Sequence, residues 1–86
     1  MKWHFPLINP LKKFSLSHYI EHVYEELEEF EDEKDGTINQ AKEVIDILHS
    51  AETLVRKYFL KYPEFDFESM KREIIDKNKK RGYYIE

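Results

Sequence analysis

Cysteine is absent from this 86-residue chain, which excludes disulfide cross-links and any thiolate metal site. Glycine is confined to Gly36 and Gly82, and proline to Pro6, Pro10 and Pro63. No apolar run approaches the length of a membrane span. The opening segment MKWHFPLINPLKK lacks the sustained apolar stretch of a signal peptide. Positive charge is not in excess either. A net charge of −4 argues against a general nucleic-acid binder. These absences lead to the expectation of a soluble, cytoplasmic protein with neither membrane nor nucleic acid among its partners. A single core at this length is close to the lower limit of stability. Oligomerisation and bound metal are the remaining routes to extra stability.

What the chain does have is helical periodicity and unevenly placed charge. Acids crowd residues 21–35, whereas residues 71–81 are mostly basic. Pro6 and Pro10 disfavour helix in residues 1–14, which read as an extended arm carrying Trp3, His4, Phe5 and Phe14. Ser15 or Ser17 can cap a first helix running to about Glu33. Its apolar residues Leu16, Tyr19, Ile20, Val23, Leu27 and Phe30 keep the i, i+3, i+4, i+7 pattern. Gly36 suits the turn that follows. Thr37 or Asn39 caps a second, longer helix to about Phe59. A third starts after Pro63 with Asp66 as candidate cap, runs to about Arg81 and stops at Gly82, leaving residues 83–86 as a tail. No segment alternates at period two and none repeats. The expected fold class is all-α: one domain over residues 1–86, a small bundle of three main helices completed by homo-oligomerisation.

The distinctive pattern is acidic. Glu25-Glu26-x-x-Glu29 lies late in the first helix, and Glu43-x-x-Asp46 follows early in the second after thirteen residues. On a helical projection with Glu26 at zero, the apolar residues of the first helix span roughly +20° to +120°. Glu25, Glu26 and Glu29 occupy roughly −100° to 0°. With Glu43 at zero, the second helix repeats the arrangement, Asp46 falling near about −60°. The acids therefore border the apolar stripe instead of opposing it. Two antiparallel helices could bring four carboxylates into one cleft, where they repel one another unless a cation holds them. Hard divalent cations take oxygen ligands, which points to phosphate chemistry. The competing reading is a solvated glutamate-rich face, the commoner meaning of any one such motif. A second apolar strip on the second helix (Ala41, Ile45, Leu48, Phe59) exceeds what one neighbour covers and suggests a subunit interface.

The paired motif with its spacing resembles the EExxE…ExxD pattern of the MazG-like all-α nucleotide pyrophosphohydrolases, a superfamily that includes dimeric dUTPases and phosphoribosyl-ATP pyrophosphohydrolases. The likeness extends from Phe14 and Ser15-Leu16 to Asp76-Lys77-Asn78-Lys79-Lys80-Arg81. It implies that Glu26, Glu29, Glu43 and Asp46 coordinate Mg²⁺, with Mn²⁺ as an alternative. Glu25 would be a partner of the ligands, an extra ligand or a base. Lys77, Asn78, Lys80 and Arg81 would contact a nucleoside triphosphate. The implied activity is Mg²⁺-dependent hydrolysis of (d)NTP to (d)NMP and pyrophosphate. The chain lacks the second helical repeat of longer relatives, which favours a site completed in a homodimer or homotetramer. Two alternatives stay open: a non-catalytic oligomerisation or nucleotide-binding regulatory module, and an acidic interaction protein without metal.

Other residues carry less weight. His22 lies on the acidic side and is expected to hydrogen-bond Glu26 rather than ligate a metal with His18. His49 is expected at the surface or in an interface. Trp3, His4 and Phe5 are expected to cover helix surface rather than stack on a base. Tyr58, Phe59, Tyr62, Phe65 and Phe67 read as core and interface filler. Tyr83 and Tyr84 could face either the nucleotide or a partner subunit.

Overall fold

A computed structural model describes residues 3–85; the expectations for residues 1, 2 and 86 lie outside that range. Three helices follow a short 3₁₀ turn at Asn9–Lys12: α1 (Leu16–Asp32), α2 (Ile38–Lys61) and α3 (Phe67–Lys80). No strand occurs among the described residues, so the fold is all-α. No described helix is long and apolar enough to cross a membrane.

Local chemistry decides where the helices begin. The Ser15 hydroxyl accepts the His18 N–H at 3.3 Å, leaving Ser17 inside the helix. At the start of α2 the cap is Thr37, whose Oγ1 accepts the Gln40 N–H at 3.2 Å and donates to the Lys34 carbonyl at 2.8 Å. Gln40 answers in kind: its Oε1 accepts from the Gly36 N–H and its Nε2 donates to Asp35, both at 2.8 Å. This is a capping box extended into the loop. Gly36 sits at φ +77°, a conformation that costs a side-chain-bearing residue about 1–2 kcal/mol.

That turn fixes the register of the α1–α2 hairpin. Glu29 and Glu43 stand seven residues either side of Gly36, Glu26 and Asp46 ten, His22 and Ser50 fourteen, and Tyr19 and Thr53 seventeen. His22 bonds Ser50, and Tyr19 and Thr53 are both buried. The helices are therefore antiparallel and folded about the glycine. Leu11 and Tyr19 are the buried apolar residues among those described.

The arm crosses α2 and is pinned there by long-range bonds, as its expected covering role requires. The His4 N–H donates to Glu52 Oε1 at 2.7 Å, and Arg56 Nη2 donates to the Phe5 carbonyl at 2.7 Å. The Tyr19 hydroxyl donates to the Pro10 carbonyl at 2.9 Å. His49, expected at the surface or in an interface, is half-buried beneath Phe5, the two rings stacked 4.6 Å apart.

α3 stands apart from the hairpin. Its first residue, Phe67, meets Trp3 and Phe59, with ring centroids 5.8 and 5.2 Å apart. Beyond that turn the helix is largely exposed, including Ile74 and Ile75. Ala41, Ile45 and Leu48 are also exposed on α2, whereas Phe59, assigned to the same strip, is half-buried among aromatic neighbours. An open apolar groove of about 610 Å³ lies between the arm and the end of α2, bounded by Trp3, Leu7, Arg56 and Leu60.

A carboxylate cluster between α1 and α2

The hairpin register sets Glu26 and Glu29 of α1 against Glu43 of α2. Each offers a carboxylate oxygen, and the three oxygens lie within 4.8 Å of one another. Glu29 is exposed, whereas Glu26 and Glu43 are half-buried, each with one oxygen, Oε2, out of solvent and without a hydrogen-bond partner. Asp46 lies outside this tight trio, but its charge acts on both Glu26 and Glu43. Glu25 is exposed and does not join them.

The proximity has an electrostatic consequence. Burial, the charge of Glu29 and a hydrogen bond with Glu26 hold the Glu43 carboxyl up to about 7, Asp46 adding to the effect. Burial also raises Glu26, followed by the charges of Glu29 and Asp46, while the hydrogen bond with Glu43 works the other way. Like charges this close disfavour ionisation of the half-buried Glu26 and Glu43, and no lysine or arginine forms an ion pair with any of the four acids among the described residues.

The basic residues expected at the site are elsewhere in the single chain. Lys77, Lys80 and Arg81 are exposed on the last turn of α3 and its cap. Arg81 lies over the Tyr83 ring at 4.9 Å, and the Asn78 amide donates to the Tyr84 hydroxyl at 3.5 Å.

Two polar residues adjoin the cluster: His22, which stands against Glu26 as expected, though at ion-pair distance, and Ser50, which a reading based on acids alone misses. His22 Nε2 lies 3.4 Å from Glu26 Oε1, and His22 Nδ1 is 3.0 Å from the buried Ser50 hydroxyl. Ser50 projects at about −20° in the frame of Glu43, between the two acids of α2, so the helical projection could have found it. Beyond His22, a cavity of about 170 Å³ opens between Phe14, His18 and Tyr19 on one side and His49 and Thr53 on the other. Comparison of the chain with protein-family models, with curated proteins and with solved structures finds no match in any of the three.

Proposed function

We propose that this chain is a Mg²⁺-dependent nucleoside triphosphate pyrophosphohydrolase of the MazG-like all-α type, with Mn²⁺ as an alternative cation. Water would attack the α-phosphorus of a ribo- or deoxyribonucleoside triphosphate. The α–β bridging oxygen would leave with pyrophosphate, yielding the nucleoside monophosphate. The observation that carries this reading is the convergence of Glu26, Glu29 and Glu43, two of which hold a buried oxygen without a partner.

Such oxygens are costly to leave bare. The residues fit a hard cation: the donor set is carboxylate oxygen alone, one from each of three side chains within 4.8 Å of one another. Glu26, Glu29 and Glu43 would hold the ion, with Asp46 as the fourth carboxylate. When bound, the ion neutralises triphosphate charge, polarises the α-phosphorus and lowers the pKa of the attacking water. Glu43 would give up its proton on loading. Glu25, exposed and outside the trio, would serve as a partner of the ligands, an extra ligand or a base. Lys77, Asn78, Lys80 and Arg81 would contact the nucleotide and stabilise the leaving pyrophosphate. Because α3 stands away from the hairpin, that contribution would come from another subunit of a homodimer or homotetramer, acting on the cytoplasmic nucleotide pool.

The open apolar faces of α2 and α3 also support a second reading, a non-catalytic helical oligomerisation module that retains the acidic motif. Thermal unfolding with Mg²⁺, with and without a non-hydrolysable nucleotide, separates the two when combined with a pyrophosphate-release screen over NTPs and dNTPs. The enzyme reading predicts stabilisation by both ligands together with release. Stabilisation without release from any nucleotide favours the module, and the absence of both rejects the metal centre.

A further inference from the structure

The two oxygens of Glu26 have different surroundings. Its side chain is 13% exposed, Oε2 lacks a partner, and Oε1 faces His22 Nε2, one helical turn earlier, at 3.4 Å. The other ring nitrogen, Nδ1, bonds the hydroxyl of Ser50, which is 5% exposed. Thr53, one turn on, sends its hydroxyl back to the His49 carbonyl at 3.0 Å, the usual habit of a helical hydroxyl. Ser50 instead turns away from its own backbone towards the imidazole. Ser50 is thus hydrogen-bonded to His22 across the hairpin, and the far side of the same ring makes an ion-pair contact with Glu26 at the edge of the carboxylate cluster.

The protons in these contacts can be assigned from donor and acceptor capacity. An ionised Glu26 can only accept, and a neutral imidazole has one donor and one acceptor nitrogen. The nitrogen facing Glu26 must then carry the hydrogen, so Nδ1 accepts and the Ser50 hydroxyl donates to it. The other tautomer would set the Nε2 lone pair against a carboxylate oxygen.

We infer that His22 is a positioning residue of the carboxylate centre and not a ligand. Its Nε2–H engages Glu26 Oε1, Ser50 fixes the tautomer, and Glu26 Oε2 is left free for the divalent cation. The role rests on the metal-centre reading above. At 3.4 Å the contact is longer than a closed N–H···O bond of about 2.9 Å.

The test compares Mn²⁺ affinity in the wild-type chain, His22→Leu, His22→Gln and Ser50→Ala, with circular dichroism melts to confirm folding. The ¹⁵N shifts of the His22 ring in the wild-type chain are recorded alongside. His22→Leu should weaken Mn²⁺ binding roughly 10- to 100-fold, the usual cost of losing a residue that orients a ligand. His22→Gln, whose amide can still donate to Oε1, should recover most of the loss. Ser50→Ala should lose less than His22→Leu and mix the tautomers. Nδ1 should be the unprotonated nitrogen. Three results would overturn the role: unchanged affinity in His22→Leu, a His22→Gln loss as large as that of His22→Leu, or an Nδ1–H tautomer. If the wild-type chain binds no Mn²⁺, the metal-centre reading falls and this role falls with it, whereas failure in the variants alone leaves the metal centre standing.

Discussion

Glu43 is where the cluster's electrostatics concentrate. Its folded-state pKa of about 7 lies above the ordinary 4.5, so the folded chain binds more protons than the unfolded chain between those values. Stability from this group is therefore fully present below about pH 4.5 and is lost as pH rises through about 7. Glu26, raised by burial and by the charges of Glu29 and Asp46, adds in the same direction. Melts of the metal-free protein from pH 5 to 8 should show a falling Tm that flattens in Glu43→Gln. An unchanged slope in that variant would remove Glu43 as the source. Added Mg²⁺ should stabilise more strongly as pH rises, because the ion competes with the proton on Glu43. On the proposed function, turnover would share this dependence on a carboxylate. Glu43→Gln or Asp46→Asn should abolish Mg²⁺-dependent pyrophosphate release while the chain stays folded, and unchanged release would contradict the assignment of these ligands.

The α1–α2 hairpin is the element that turns sequence spacing into a site. His22 and Ser50, equidistant from Gly36, meet across the hairpin, so the turn sets which stretch of α1 faces which stretch of α2 and brings Glu26 and Glu29 to Glu43. Thr37→Ala removes the cap and should cost about 1 kcal/mol, lowering Tm by roughly 4–8 °C in a domain of this size. Gly36→Ala finds no atom within 4 Å of its new methyl group, so its loss would come from backbone conformation alone. Both effects can be read from melts. The helix order was legible, and the caps were narrowed to Ser15 or Ser17 and to Thr37 or Asn39, because each depends on neighbours within a few residues; the acids were legible as facing across a short turn, though three of the four expected draw together. The arm's anchors were not. His4 and Glu52 are 48 residues apart and Phe5 and Arg56 are 51, and no local pattern announces such pairs. Glu52 reads as one more surface acid, yet it is 8% exposed beneath the arm. Legibility failed differently at His49, where periodicity gave no sign that Phe5 would fold over the ring.

Across the whole molecule the core is thin. Leu11 and Tyr19 are the buried apolar residues among those described, while Ile45 (54% exposed) and Leu48 (43%) leave an open strip on α2. A chain this small gains stability by covering such surface. Sedimentation equilibrium should therefore find an oligomer that Ile45→Lys with Leu48→Lys dissociates, with a concentration-dependent Tm in the parent chain. A monomer at all concentrations would contradict the shared-site account. The central claim concerns chemistry at the carboxylate cluster, and hydrolysis in H₂¹⁸O with Mg²⁺ tests it most directly. The account predicts pyrophosphate release from at least one nucleoside triphosphate, with ¹⁸O in the monophosphate, unlabelled pyrophosphate and no reaction in Glu43→Gln. Label in the pyrophosphate, or no release from any nucleotide with Mg²⁺ or Mn²⁺, would contradict it.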